Sequence, residues 1–268
     1  MSGCQDEFKS SVARSFGRAA LTYDDAAVLQ RRIGTELLDY VSPLIKEVSS
    51  PLILDLGAGT GFFTCALAEL APNARVVALD LAESMAKRAS LRHQGGCVVG
   101  DAEALPIASG VVDLIFSNMC IQWCRDPVRL CKELGRVLKP GGKMIFSTFG
   151  PKTLKELRDA WSVSDGFDHV IDFLSEERLM AVFEQAGFVW ESRMARVDRC
   201  IYPDVFALMR ELKDLGARNA SLSRSRSMTG KGRIEAMIKA YSGEVEGGIA
   251  ASYEILGGCV ALGAGVHA

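Results

Sequence analysis

Apolar positions recur along this chain with two periods, and the change between them shows how it is organised. In the first fifty residues Phe8, Val12 and Phe16 repeat at i, i+4 and i+8, the stripe of a helix, and Asp24 opens a second such run through Tyr40. Pro43 and Pro51 bracket a short segment before apolar runs of strand length begin. Residues 51–56 (PLILDL) read as a strand buried on both faces, and 75–79, 97–99, 112–117 and 143–148 read as strands after it. Helical patterns at 62–70, 84–92 and 127–137 separate them, the last stopped by Lys139-Pro-Gly-Gly142. This alternation predicts βαβ units, and right-handed crossovers then give a doubly wound, mostly parallel α/β sheet.

Beyond residue 150 the pattern is less regular. Ser175, as an N-cap ahead of Glu176 and Glu177, starts a helix expected to end at Gly187. Weak alternation over 190–201 predicts a strand, 203–215 and 233–241 predict helices, and 250–259 a final strand. No repeat or linker interrupts the chain, so 1–268 is expected to form a single domain. Its parts are a helical segment (1–36), a core (37–150), and a remainder (151–268) that completes the core and carries an inserted helical cap at about 203–242.

Composition narrows the classes. Hydrophobic residues make up 49% and charged residues 24%, which excludes disorder as the main state. A net charge of −2 gives no global electrostatic case for nucleic acid or an anionic membrane. The N-terminal stretch has acids and no apolar h-region, and no apolar run reaches about 18 residues. A cytoplasmic protein is therefore expected. Eight cysteines include no C-x-x-C pair, and Cys120, Cys124 and Cys131 have no histidine beside them. They read as packing residues in a reducing compartment, not as a metal site.

The chemistry begins at Asp55-Leu-Gly57-Ala-Gly59-Thr-Gly61, where glycines allow a tight strand-to-helix turn and close ligand approach. Phe62 stands where a dinucleotide fingerprint needs glycine, and no Gly-Lys-Ser/Thr follows, which excludes a P-loop. Asp80 lies 19 residues after Gly61, at a strand end where an acid accepts from ribose hydroxyls; Asp101 ends the third strand and can accept from an adenine amino group. Asp55 and Asp80 could equally cap the helices that follow them. All three acids fall at the carboxyl ends of parallel strands, where open α/β sheets bind ligands.

This set resembles the class I, seven-stranded S-adenosylmethionine-dependent methyltransferases over roughly residues 37–149. The resemblance implies that the glycine loop with Ala58 passes under the methionine portion and that Asp55 holds its amino group, directly or through water. Asp80 and Leu81 would serve the ribose, Asp101 and Ala102 the adenine, and Asn118 the methionine side. Gly100-Asp-Ala-Glu-Ala-Leu-Pro106 and Arg136-Val-Leu-Lys-Pro-Gly-Gly142 are similar to later motifs of that family. Residues 1–36 would then be a lid and 37–150 the cofactor-binding core.

Segments outside the cofactor motifs are more specific. Residues 12–24 (VARSFGRAALTYD), 117–124 (SNMCIQWC), 146–157 (FSTFGPKTLKEL) and 211–219 (ELKDLGARN) resemble the malonyl-acyl-carrier-protein O-methyltransferases of biotin synthesis, as do Thr229-Gly230 and Tyr253-Glu254. The likeness implies methyl transfer to the free carboxylate of malonyl-acyl-carrier protein or malonyl-coenzyme A, with S-adenosylhomocysteine as product. That carboxylate is ionised at pH 7, so no general base is required and catalysis should rest on positioning and desolvation.

Positioning candidates are Tyr23, after the lid, and Ser147 and Thr148, at the end of the fifth strand; hinge packing and capping are their bland alternatives. Gln122 and Trp123 are expected to shape the pocket wall. A bidentate arginine suits a carboxylate best, and Arg14, Arg18, Arg158, Arg210 and Arg218 are the candidates, with Arg218 retained as substrate-binding. His93, His169 and His267 read as a helix end, a loop and a frayed tail; only His169 is near a substrate segment. Residues 215–234 carry Arg218, Arg224, Arg226, Lys231 and Arg233 and no acid. Arg224, Arg226, Lys231 and Arg233 are expected to dock the acidic carrier protein, unless the stretch is a solvated loop. The rival readings are a methyltransferase of a quinone or another metabolite, and a partner-binding protein that has lost turnover.

Overall fold

The computed structural model describes residues 2–164, 167–217 and 230–263. It opens with helices α1 (Ser2–Ala19), α2 (Tyr23–Ala26), α3 (Val28–Leu38) and α4 (Val41–Ile45). The alternating region follows as β1 (Leu52–Leu56), α5 (Phe62–Leu70), β2 (Arg75–Asp80), α6 (Glu83–Arg92), β3 (Cys97–Val99), β4 (Val112–Asn118), α7 (Pro127–Val137) and β5 (Leu138–Phe149). The remainder is α8 (Lys155–Ser164), α9 (Glu176–Gln185), β6 (Phe188–Tyr202), α10 (Val205–Asp214), α11 (Lys231–Ala240), β7 (Glu244–Val245) and β8 (Gly248–Leu262).

The strands form one sheet in the order β3-β2-β1-β4-β5-β8-β6, with β7 a two-residue addition to β8. β1 to β5 pair in parallel, and β8 enters antiparallel between β5 and β6. The reversal at β1 places a crevice outside the carboxyl ends of β1, β2 and β4. The pleat sorts neighbouring residues into two layers. Leu54, Leu56, Ile115 and Phe146 pack with Leu134 of α7 and Phe183 of α9. Ile53, Leu114, Phe116 and Ile145 pack with Val41 of α4 and Phe63 and Leu67 of α5. A third cluster joins Trp161 of α8, Leu208 of α10 and Met237 of α11 to Tyr202, Tyr253 and Ile255 of the β6–β8 ribbon.

Three features differ from the expected pattern. The helical run through Tyr40 breaks at buried Ala27, whose ψ of 41° ends α2 and lets α3 bury Leu29, Ile33 and Leu37 on a separate line. β5 starts at Leu138 instead of Lys143. The Pro-Gly-Gly segment stays in the strand because Gly141, at φ 74°, absorbs a register shift against β4. The helix α8 has no counterpart in the expected elements, although Leu157, Ala160 and Trp161 supply its buried face. The Ser175 cap forms as expected, accepting from the Arg178 N–H.

Candidate active site

The glycine loop gets its shape from the residues around it. Gly57, Gly59 and Gly61 have φ of 75°, 56° and 82°, values that favour glycine. The N–H groups of Gly57 and Ala58 both donate to the Leu79 carbonyl, which ties the loop to β2. A Cβ on Gly57 would lie 2.3 Å from Cys120 Sγ, and one on Gly61 would lie 2.8 Å from Ala89 Cα. A Cβ on Gly59 would meet only Tyr23, at 3.9 Å, so this part of the loop floors an open cleft.

The carboxylates hold different positions around that floor. Asp55 is 2% exposed and accepts from Thr64 Oγ1 at 2.6 Å. Burial pushes its carboxyl up to about 7, the Asp80 charge adds to this, and the Thr64 bond opposes it. Asp80 Oδ2 accepts from the Gly59 N–H at 2.9 Å and Oδ1 from the Ala82 N–H at 2.8 Å. It therefore locks loop to strand and also fixes the turn that leads into α6, with lone pairs left on both oxygens. Burial raises its pKa against the pull of those two N–H groups. Asp101 Oδ1 accepts from the Glu103 N–H, and Oδ2 accepts from Lys9 Nζ at 2.6 Å.

The cleft is lined by Gly57, Gly59, Asp80, Leu81, Asp101, Ala102 and Asn118, and by Tyr23 and Trp123 from the acceptor-side expectations. Asp55, Ala58 and Gly61 are not on its surface; they sit beneath it and hold the loop. The helix α1 closes the top. Lys9 bridges Asp101 and the buried Glu103, at 2.6 and 2.7 Å. At the other end Asp24 takes the hydroxyl of Thr60 and the Arg92 guanidinium. Tyr23 is thereby held over the glycine loop, and burial together with the Asp80 charge keeps its phenol neutral.

A second cavity, of about 430 Å³, adjoins the cleft. The two share Cys124 as a wall, and α1 covers both, with Phe8 at this one. Gln122 and Thr148 line it, whereas Ser147 is fully buried beside it. The hydroxyls of Ser147 and Thr148 are already committed. Ser147 Oγ donates to Asn118 Oδ1 at 2.8 Å, and Thr148 Oγ1 donates to Gln122 Oε1 at 3.2 Å. Gln122 Nε2 in turn donates to the Met119 carbonyl. These bonds surround Met119, whose φ of 52° is strained for a side chain of its size. Ser147 and Thr148 thus brace the partition between the two cavities, with no hydroxyl hydrogen left for a carboxylate.

None of the described arginines singled out from sequence lines either cavity. Arg14, Arg18 and Arg210 are exposed, and Arg158 donates to the carbonyls of Pro151 and Ile171. Arg218, Arg224, Arg226 and His267 lie outside the described residues. Lys231 and Arg233 fall in the first turn of α11, and Lys231 pairs with Glu235. His93 contacts the Val76 carbonyl, and His169 stacks on Trp161 at 3.8 Å. Sequence reasoning missed Lys9, Glu103, Met119, Cys120, Cys124 and Arg125. Burial pushes the Cys120 thiol up to about 12, so it is an uncharged wall of the cleft. Among the described residues no group of three metal-ligating side chains forms, and no helix is long and apolar enough to cross a membrane.

The sheet order, the Gly59 floor and the acids at successive strand ends together define a class I S-adenosylmethionine-dependent methyltransferase. Residues 54–146 match a family model described as a methyltransferase domain. Solved structures share the fold at low identity. YcgJ from Bacillus subtilis superposes with a TM-score of 0.63 at 16% identity, over 86% of this chain and all of that one. A geranyl diphosphate C-methyltransferase from Streptomyces coelicolor gives 0.53 at 15%, over 90% and 83%. Closer sequences span the whole architecture. The malonyl-[acyl-carrier protein] O-methyltransferase of Methylococcus capsulatus is 44% identical over 92% of both chains, and that of Hahella chejuensis is 39% identical over 94% and 90%. A bifunctional biotin biosynthesis protein of Cellvibrio japonicus is 43% identical, and there this chain corresponds to 49% of the length. The chain belongs to the malonyl-[acyl-carrier protein] O-methyltransferase family.

Proposed function

We propose that this protein transfers the methyl group of S-adenosylmethionine to the free carboxylate of a malonyl thioester on acyl carrier protein, in the service of biotin synthesis. The observation that carries this reading is the family relationship over nine-tenths of the chain, which extends far beyond the stretch matched by the methyltransferase domain model. The geometry supports it. The bound cofactor supplies a methyl already activated on a sulfonium, and the acceptor oxygen is already ionised. The protein's tasks are alignment and exclusion of water. Gly59, Asp80 and Tyr23 would seat the cofactor's methionine and ribose, and Asp101 and Ala102 its adenine. The Met119 partition would set the distance between donor and acceptor. Asp55, from below, would orient the loop.

Lys231 and Arg233, with Arg224 and Arg226, are proposed to dock the acidic carrier. Their reversal to Glu should raise KM for malonyl-carrier protein and leave a small malonyl thioester unaffected. The activity is tested with methyl-labelled cofactor and malonyl- or acetyl-carrier protein. Label that requires the malonyl group and is released by mild base is the expected ester. Label on acetyl-carrier protein, or none, would overturn the reading.

A further inference from the structure

The second cavity has one cation at its rim that nothing so far has used. Arg125 stands between the short 3-10 turn Ile121–Trp123 and α7. Its backbone N–H is fixed by Glu103 Oε1 at 2.7 Å, and its guanidinium lies over the Phe8 ring, 4.8 Å from the centroid. Among the described residues no carboxylate or carbonyl is within bonding reach of that guanidinium, and no other arginine lines the cavity. A planar fork of N–H donors is therefore held over the Phe8 ring of the lid with donors free, a group that suits a bidentate oxyanion.

Its position decides which oxyanion. Tyr23 marks the glycine-loop end of the cleft, and Lys9, on Asp101, marks the opposite end. Phe8 is adjacent to Lys9 and eight residues from Phe16, about 12 Å along α1 at the helical rise. A methyl acceptor must come within about 3.5 Å of the reacting carbon. Arg125 meets the lid at its Lys9 end, whereas Trp123 meets it at Phe16, toward Tyr23, so the donor fork is offset from the glycine-loop end of the cleft. Gln122 and Thr148, beside the Met119 partition, line the same cavity.

We propose that this cavity takes the pantetheine arm of the carrier-bound substrate, thioester at Gln122 and Thr148, and that Arg125 binds the arm's phosphate diester. The proposal rests on the malonyl-carrier reading above. The walls suit such a ligand. Val170, Ile171 and Phe173 supply apolar surface, and the exposed carboxylate of Asp172 is an acceptor for an amide N–H group.

The test compares Arg125→Gln and Arg125→Lys with the parent protein on three substrates. These are malonyl-carrier protein, malonyl-coenzyme A, and malonyl-N-acetylcysteamine, which keeps the thioester and first amide but has no phosphate. Arg125→Gln should raise KM for the first two by about 10- to 100-fold, the range of a charge-assisted pair, with kcat within twofold. The N-acetylcysteamine thioester should be unaffected, and Arg125→Lys should fall between. Cofactor affinity, measured by calorimetry, should stay within twofold. Equal losses on all three thioesters would assign Arg125 to the malonyl group and overturn the proposal, as would no loss on any. A matching loss of cofactor affinity would show that Arg125 acts through the lid, which also overturns it. If the parent protein methylates none of the three thioesters, the functional reading fails instead, a distinct result.

Discussion

Asp55→Asn isolates the electrostatic cost of burying an acid under the glycine loop. Asp55 is held near pKa 7 in the fold against an ordinary 3.8. Between those values the folded state keeps a proton that the unfolded chain has lost. A raised acid pKa contributes stability that is complete below the unfolded value and disappears as pH rises through the folded one. One pKa unit is worth about 1.36 kcal/mol, so the contribution is about 3 kcal/mol at pH 5 and well under 1 kcal/mol at pH 7. Asparagine keeps the shape and still accepts from Thr64, but it does not titrate. Urea unfolding from pH 5 to 7 should therefore show the variant gaining on the parent by about 2 kcal/mol over that interval. A difference constant to within about 0.5 kcal/mol would mean that Asp55 ionises normally in the fold, and the burial argument would fail.

Other perturbations probe the lid, the loop and the partition. Lys9→Gln leaves Glu103 buried without its cation and should cost about 3 kcal/mol in chemical denaturation; adding Glu103→Gln should recover at least half of it. Gly61→Ala combines φ of 82° with the 2.8 Å approach to Ala89 and should cost more than about 2 kcal/mol. Gly110→Ala, at φ 64° in open space, should cost about 1 kcal/mol in the same assay. Thr148→Val removes the donor that fixes the Gln122 amide and should lower kcat about tenfold with cofactor affinity unchanged; equal loss of both would place Thr148 in the cofactor site.

The glycine-loop cleft is legible in the sequence because each of its strand-end residues follows its strand by a fixed turn. Gly57 to Gly61, Asp80, Asp101 and Asn118 are separated in sequence by whole βα units, and the parallel pairing returns each to one edge. Asp55 was read as a ligand contact, but strand alternation puts it on the Ile53 side, where it meets Thr64 beneath the loop. The adjoining cavity is built differently. Arg125 becomes a rim residue only because α1, more than a hundred residues earlier in the chain, lays Phe8 beneath it. Lys9 reaches Asp101 by the same long-range packing. No local spacing encodes such contacts. Ser147 and Thr148 were found by position, but their hydroxyl directions depend on Asn118 and Gln122 from a neighbouring strand and turn.

The placement of β8 has a consequence for how the protein is made. β8 follows every other strand in the chain, yet it is the bridge between β5 and β6, pairing Met144 with Val260 on one side and Met194 with Gly257 on the other. A ribosome therefore releases β1 to β5 and the whole cofactor crevice while β6, fifteen residues long, still has no partner. The crevice can assemble during synthesis, but the antiparallel half of the sheet closes only after β6, α10 and α11 have emerged ahead of β8. Until then β6 is an open edge available to other nascent chains. Glu191, Arg193, Arg196, Asp198 and Arg199 lie along it, and charged side chains on an open edge disfavour its pairing with other chains during that interval.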